Sequence, residues 1–380
     1  MDWQSMLSLA VFAGTLAAVA LVAYGIRRIP YLRDQPVEGP LPRLSVVIAA
    51  RDEAATIEPA LRSLLNLDYP ALEIVVVDDR STDATGTILQ RMTAQEPRLR
   101  VIQVRSLPPD WLGKTHALHL GAAQASGEFL LFTDADVLFA PDCLARAVSY
   151  AQRRQLDHLV VFPDLLADNR LLRAMLVLFV AGMIGMFQPW RVTHARRRYI
   201  GIGAFNLVRA RKYREAGGHA PLALAPLDDL MLGKLLKRNG ARADALFGQG
   251  LLAVAWYRTP REMILGLEKN IFSGFDYSFV KLTAATAVAA LMAFWPVLGL
   301  FLTDGAAFAL NLATIAVSLL LQGQLARRAN WSLDCLLYLW PAQALTLYTW
   351  WRAALRAQLR QEIEWRGTRY PLAKIKARHF

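Results

Sequence analysis

The stretch Glu128-Phe129-Leu130-Leu131-Phe132-Thr133-Asp134-Ala135-Asp136-Val137 decides the fold. Its apolar run is short and lies between Ser126-Gly127 and Pro141, which reads as a buried strand of a parallel sheet. The run ends in two carboxylates at alternate positions. Residues two apart on a strand face the same way, and open α/β sheets bind ligands at the carboxyl ends of their strands. Two hard oxygen ligands there suit Mg²⁺ or Mn²⁺ beside a phosphate-bearing substrate. An Asp-x-Asp pair by itself is a weak signal, because such pairs also cap helices and make turns, so the neighbours decide.

Working outward, strands and helices alternate. Leu44–Ala50 reads as a first strand, followed by Arg51-Asp52-Glu53 and a helical pattern through Leu65. Leu72–Val77 is a second strand, ending in Asp78-Asp79-Arg80-Ser81-Thr82-Asp83. Ser81 or Thr82 is placed to cap a helix that runs to Arg91. Leu99–Val104 is a third strand, and Lys114–Ala125 a helix leading into the Asp134 strand. The alternation argues for a doubly wound, mostly parallel sheet. Asp78 and Asp79 should then line the same crevice as Asp134 and Asp136, where a carboxylate can accept from a ribose hydroxyl or a base N–H. No Gly-x-Gly-x-x-Gly follows either strand and no Walker loop occurs; Gly201-x-Gly203 is a lone pair. A dinucleotide-binding Rossmann domain is therefore disfavoured, and phosphate charge must be met by a metal and by Lys114 or arginines.

Composition adds a membrane. Hydrophobic residues make up 55% of the 380, above the roughly 45–50% of a soluble domain. Met6–Ile26, Leu282–Leu302, Ala306–Leu321 and Leu333–Trp350 are apolar runs near the ~17–25 residues that a span needs. The first ends at Arg27-Arg28 without a cleavage site and reads as a retained anchor. Leu171–Gln188 is as apolar, but Arg170, Arg173, Arg191 and Arg196-Arg197-Arg198 flank it at both ends, which disfavours crossing. It reads as an interfacial helix lying on the bilayer, near residues 171–190.

The formal charge is +12, and half of it sits in the tail from Trp351, with eight basic residues against Glu362 and Glu364. Beside membrane runs, such charge points to the cytoplasmic face and anionic lipid and not to nucleic acid. Cys143 and Cys335 are too few for a disulfide framework. Three full C-terminal spans would put the basic tail outside, against the positive-inside rule. One of them is therefore expected to be re-entrant or in-plane, with the tail cytoplasmic; Asp334 and Pro341 make the last one suspect, and the bare Thr303-Asp304-Gly305 connection makes the first pair suspect too. The expected layout is an anchor (1–29), a linker with four prolines (30–43), an α/β domain (44–280), membrane helices (281–351) and a basic tail (352–380).

Further along come Gly203-Ala-Phe-Asn206, Gly217-Gly218-His219 and Pro226-Leu-Asp228-Asp229-Leu230, the last opening a helical pattern that stops at Gly240. Acidic residues in a first helical turn are favoured by the dipole in any case. His116 and His119, three apart on a helix, read as packing or substrate contacts and not as ligands for a soft metal. His219 is a candidate contact on the acceptor side. Trp190, Phe205 and Trp256 read first as packing residues.

Val46-Val-Ile-Ala-Ala-Arg-Asp-Glu53, Val77-Asp-Asp-Arg-Ser-Thr-Asp83, Trp111-Leu-Gly-Lys114, Thr133-Asp-Ala-Asp136, Gly203-Ala-Phe-Asn206 and Asp228-Asp229 run in order between about residues 45 and 275. Together they resemble the family-2 nucleotide-sugar glycosyltransferases of GT-A fold, in particular the membrane-anchored branch with ceramide glucosyltransferase-like and hopanoid- or carotenoid-associated enzymes. The resemblance implies a GT-A catalytic domain with an N-terminal transmembrane anchor and C-terminal transmembrane helices. It places Asp52, Glu53, Asp78, Asp79, Lys114 and Asp134 around the donor, a UDP-sugar, with Asp136 and Asp134 at an Mg²⁺ or Mn²⁺ ion. Asp229 matches the general base, beside Asp228. Asn206, His219, Trp256 and Arg258 fall on the acceptor side. It implies inverting transfer of one sugar to a lipid at the cytoplasmic membrane. The Gln-x-x-Arg-Trp string of processive synthases is absent, which favours single transfer over polymer synthesis; a non-catalytic scaffold is opposed by the intact carboxylate set. Trp365-Arg-Gly-Thr-Arg-Tyr370 resembles a string near the end of ceramide glucosyltransferase-like proteins, without a role derivable from sequence.

Overall fold

The structure is a computed structural model that describes residues 2–365 and 368–377. Arg366, Gly367 and Arg378 of the basic tail lie outside the described residues. The chain begins α1 (Trp3–Arg28), β1 (Leu44–Ala50), α2 (Ile57–Leu65), β2 (Leu72–Asp79), α3 (Thr85–Thr93) and β3 (Leu99–Val104). It continues with α4 (Gly113–Gln124), β4 (Phe129–Thr133), β5 (Val137–Phe139), α5 (Cys143–Arg153), β6 (His158–Phe162), β7 (Asp164–Leu165) and α6 (Arg170–Phe187). Next are β8 (Asn206–Arg209), α7 (Ala210–Glu215), α8 (Asp228–Arg238), β9 (Ala243–Phe247) and β10 (Leu252–Val254). The last are α9 (Pro260–Gly274), α10 (Phe279–Leu302), α11 (Gly305–Arg328), α12 (Leu339–Arg360), β11 (Glu362–Trp365), β12 (Thr368–Pro371) and α13 (Leu372–Ala377).

These elements form two compact units. The first comprises Ile29–Leu166, Pro189–Trp256 and the segment from Glu364 onward. Its centre is a seven-stranded sheet in the order β3-β2-β1-β4-β8-β6-β9. β3, β2, β1 and β4 are parallel, β8 runs antiparallel to both neighbours, and β9 is parallel to β6. Side-chain alternation builds two cores. Val46 and Ile48 face Ile57, Leu61 and Val148 of α2 and α5, whereas Val47 faces Leu118 of α4 and Leu232 of α8. A strand buried on both faces shows no polar alternation, and β2 accordingly has every residue buried, its carboxylates included.

Four expectations change. The Asp134/Asp136 strand stops at Thr133, where pairing with β1 ends at Ile48 and Thr133 donates to the Ala204 carbonyl (2.8 Å). The two aspartates therefore occupy the turn before β5 and not alternate strand positions. Ser81 and Thr82 do not cap α3, which starts later; Asp83 accepts from the Thr85 amide instead (2.9 Å). The proline-rich segment at 30–43 is packed and not a free linker: Leu32 is fully buried, and Pro30 accepts from the Phe247 amide (2.9 Å). The tail from Glu364 belongs to the sheet unit, and residues 257–280 belong to the other.

The helical unit comprises the segment up to Arg28, Ala167–Gln188 and Tyr257–Ile363. Among the described residues four segments are long and apolar enough to cross a membrane: Trp3–Arg28, Arg170–Arg191, Phe279–Leu302 and Gly305–Arg328. The run at Leu333–Trp350 is not among them. It breaks into a 3-10 turn over Leu333–Tyr338 and then α12, whose later turns carry Arg352, Arg356 and Arg360. Arg352 and Arg356 both pair with Glu268 of α9. α1 packs on α10 and α11 around Ser8, which accepts from Trp295 (3.1 Å) and Asn311 (3.0 Å). Buried polar groups in lipid must find such partners. Val280, Phe301 and Leu320 are left exposed.

Candidate active site

The start of α4 is the hub. Lys114 lies in its first turn, and its Nζ meets Asp134 Oδ1 at 2.7 Å and Asp228 Oδ2 at 3.4 Å. Burial alone would lower this ammonium, but Asp134, Asp228 and Asp229 outweigh it and hold Lys114 well above its ordinary value. Its neighbour Gly113 faces the other cluster: a Cβ there would overlap the Asp79 carboxylate and touch Arg80. Two residues of one helical turn thus sit between Asp79 on one side and Asp134 with Asp228 on the other. Lys114, Phe132, Asp134, Gly203, Asn206, His219, Asp228 and Asp229 line one small cleft.

Asp229 lies in the first turn of α8, where its Oδ1 accepts from the Leu230 amide (2.8 Å). Burial and the adjacent Asp228 push it up to about 6, against the lowering effect of Lys114. A carboxylate so placed is a base poised near neutral pH. Its backbone is fixed from behind. Asn206 Nδ2 donates to the Asp229 carbonyl (3.3 Å), and Asn206 Oδ1 is 2.6 Å from His158 Nε2. Burial drives His158 down to about 4, so it is neutral at pH 7 and donates to Asn206. Asn206 is itself buried and serves as a support for Asp229. Sequence reasoning missed His158, which carries no signal beyond a histidine in an apolar strand.

Gly201 and Gly203 acquire a role unrelated to dinucleotides. A Cβ on Gly201 would run into the Asp229 carbonyl, and one on Gly203 would reach Asp134 Oδ2 at 2.5 Å. Gly233 meets Ile200 in the same way. The 200–203 loop thus presses against Asp134 and the main chain of Asp229 with nothing but backbone. Gly201→Ala is expected to destabilise the protein by about 1–3 kcal/mol, because the obstacle is main chain. Thermal unfolding checks this, with Gly182→Ala, which meets nothing within 4 Å, as the control.

Asp52 sits at a positive φ of 54° and accepts from the Thr82 amide (2.7 Å), Thr82 Oγ1 (3.1 Å) and the Asp83 amide (3.3 Å). The Thr82 amide, with the other donors, holds its carboxyl below the usual range. It ties the loop after β2, as does Glu53, whose amide donates to Thr85 Oγ1 (2.8 Å). Asp78 accepts from the Ser81 amide (3.3 Å). Asp79 is buried and gripped by both arms of Arg80 (2.7 and 2.8 Å), with Arg51 at 4.0 Å.

His219 lines the cleft but is buried; its Nδ1 lies 2.7 Å from Tyr213 Oη, its ring stands edge-on to Phe132, and burial drives it down to about 3. It is a neutral wall residue. His116 and His119 pack on Trp111. Trp256 packs against the larger core. Arg258 belongs to the helical unit, where its amide donates to Glu262 (2.9 Å).

Among the described residues no group of three or more His, Cys, Asp or Glu side chains could hold a metal alone. Mg²⁺-type sites need only one or two carboxylates when substrate phosphates complete the shell. Asp136 fits such a role: burial, then Asp134 and Glu53, push its carboxyl up to about 7. Charge crowded in this way is relieved by a divalent cation, for which Asp136 and Asp134 are the hard donors.

Residues 45–205 match the profile described as Glycosyl transferase family 2. Over 123 residues the chain is 35% identical to the beta-monoglucosyldiacylglycerol synthase of Synechocystis sp., covering 32% of this chain and 25% of that protein. It is 26% identical over 236 residues to the 4,4'-diaponeurosporenoate glycosyltransferase of Staphylococcus haemolyticus, covering 61% of each. The matched segments span about a quarter of the length of several curated relatives. Among solved structures it is similar to the mannosyltransferase PcManGT of Pyrobaculum calidifontis, in complex with GDP-Man and Mn²⁺. That match has a TM-score of 0.56 and 20% identity over 94% of this chain and 99% of that one, and it shows the fold. Residues 45–205 therefore form a glycosyltransferase family 2 domain of GT-A type.

Proposed function

We propose that this chain moves a single sugar, with inversion, from a nucleotide sugar to a membrane lipid. The observation that carries the reading is Lys114 between Asp134 and Asp228, with Asp229 beside them, at the carboxyl edge of a mostly parallel sheet. The acceptor hydroxyl attacks the anomeric carbon, Asp229 takes its proton, and the bond to the nucleoside diphosphate breaks with its electron pair leaving on oxygen. Lys114 orients Asp134 and Asp228 and supplies a positive charge to the diphosphate end. Held by Asp136 and Asp134, Mg²⁺ or Mn²⁺ would neutralise charge on the leaving group. Relatives named for a diacylglycerol and for diaponeurosporenoate support a lipid acceptor, as do the exposed apolar side chains of α10 and α11. A UDP-sugar is the donor expected from the resemblance.

Connectivity supports a site that stays on one face of the bilayer. β6 precedes α6 and β8 follows it, and Val160 pairs with Asn206 across these strands. A single crossing by α6 would tear them apart, so an in-plane helix is the consistent reading. With α1, α10 and α11 as the spans, Arg27-Arg28 and Arg327-Arg328 fall on one face, as the positive-inside rule asks. The cytoplasm is that face, and residues 329 onward share it.

The test is donor binding by calorimetry with Mn²⁺, followed by product analysis on a lipid acceptor. Asp136→Ala is expected to lose the metal-dependent part of binding, about 10-fold or more by analogy with lost metal-site contacts. Chelation of the unaltered protein should reproduce that loss. Equal loss of binding in Asp136→Ala and Asp229→Asn would sink the division of roles.

A further inference from the structure

The C-terminal segment is pinned to the donor end of the sheet unit at four places. Thr368 Oγ1 accepts from Arg51, at the carboxyl end of β1 (3.2 Å). Tyr370 faces the guanidinium of Arg80, at the carboxyl end of β2. Its Oη accepts from the Gly113 amide, in the first turn of α4 (3.2 Å). Lys374 donates to Asp110, in the loop that leads to α4 (2.8 Å). Tyr370 is buried, and Leu372 and Ile375 of α13 are buried too.

The contact with Gly113 supplies something that the local sequence lacks. A helix begins with amides that have no internal partner, normally met by a side-chain oxygen at the N-cap. The N-cap of α4 is Leu112, which has no such oxygen and makes no cap bond. The phenol of a residue 257 positions away does this instead. The capped turn is the one that carries Lys114.

We propose that Tyr370 is a positioning residue of the donor site. Through Gly113 it sets the turn that aims Lys114, and through Arg80 it sets the ion pair with Asp79. Thr368 does the same for Arg51. This rests on the glycosyltransferase reading above, and it makes the tail a wall of the nucleotide end and not a free basic flank. Tyr370's own contacts are with Gly113 and Arg80, on the Asp79 side of that turn.

The experiment uses the full chain in detergent, UDP and GDP with Mn²⁺ as binding probes, and steady-state transfer with the donor sugar that the unaltered protein turns over. Tyr370→Phe keeps the ring and removes only the oxygen. It is expected to weaken nucleotide binding and raise donor KM about 5- to 20-fold, with acceptor KM unchanged and a modest fall in the unfolding midpoint from the lost cap. Thr368→Val is expected to act in the same direction, more weakly. Unchanged donor binding in Tyr370→Phe overturns the proposal. So do equal rises in both KM values, which are the mark of a merely structural contact. If the unaltered protein binds neither nucleotide and turns over no nucleotide sugar, the glycosyltransferase reading itself fails and the proposal falls with it. Retained donor binding in Asp229→Asn separates the two failures.

Discussion

Asp229→Asn is expected to lower kcat about 10²- to 10⁴-fold, the usual contribution of a positioned proton acceptor, while nucleotide-sugar binding persists. The amide keeps the shape and cannot take a proton. The support behind it is main-chain, from Asn206 to the Asp229 carbonyl, so the substitution leaves the start of α8 in place. The pH profile of the unaltered protein gives an independent check. A base must be ionised to act, and burial with Asp228 places Asp229 at about 6. Transfer should therefore rise as pH climbs through about 6 and level off above it. A flat profile from pH 5 to 8 on a functional donor and acceptor would remove Asp229 from the role.

Lys114→Met should be the second large loss. It takes the shared cation away from Asp134 and Asp228 at once, and kcat/KM for the donor is expected to fall about 10²-fold or more. The sign of the accompanying pH effect is fixed by charge. Lys114 lowers both Asp229 and Asp136, so without it both carboxyls protonate more readily. The rising limb should move to higher pH, and part of the lost rate should return there. Lys114→Arg keeps the charge with a wider head and should keep the limb near its original place. Steady-state rates from pH 5 to 9 in both variants decide this.

Much of the sheet was legible because its strands are apolar runs, the central ones buried on both faces, bounded by turn residues. Leu44–Ala50 and Leu99–Val104 fall where the pattern puts them. The Asp-x-Asp stretch was harder, since periodicity cannot show where a strand loses its partner. Thr133 is the last residue paired with β1, and both aspartates follow it. Ser81 and Thr82 look like helix caps in sequence, yet Asp52 turns back at positive φ and claims the loop they occupy. Gly201-x-Gly203 was weighed as a fragment of a nucleotide motif, whereas its use is close approach of backbone to Asp229 and Asp134. Asn206 is legible as the end of Gly203-Ala-Phe-Asn206, but its partner His158 is 48 residues away. No local pattern carries that pairing, nor the one between Gly113 and Tyr370.

That last pairing sets an order of events for a newly made chain. The sheet's first strands emerge early, with their aspartates in place, but the oxygen that caps α4 is encoded beyond both apolar helices at 279–302 and 305–328. A ribosome must have read past them before the turn that carries Lys114 can be capped. Chains halted short of that point would carry the acidic residues without the phenol that caps α4.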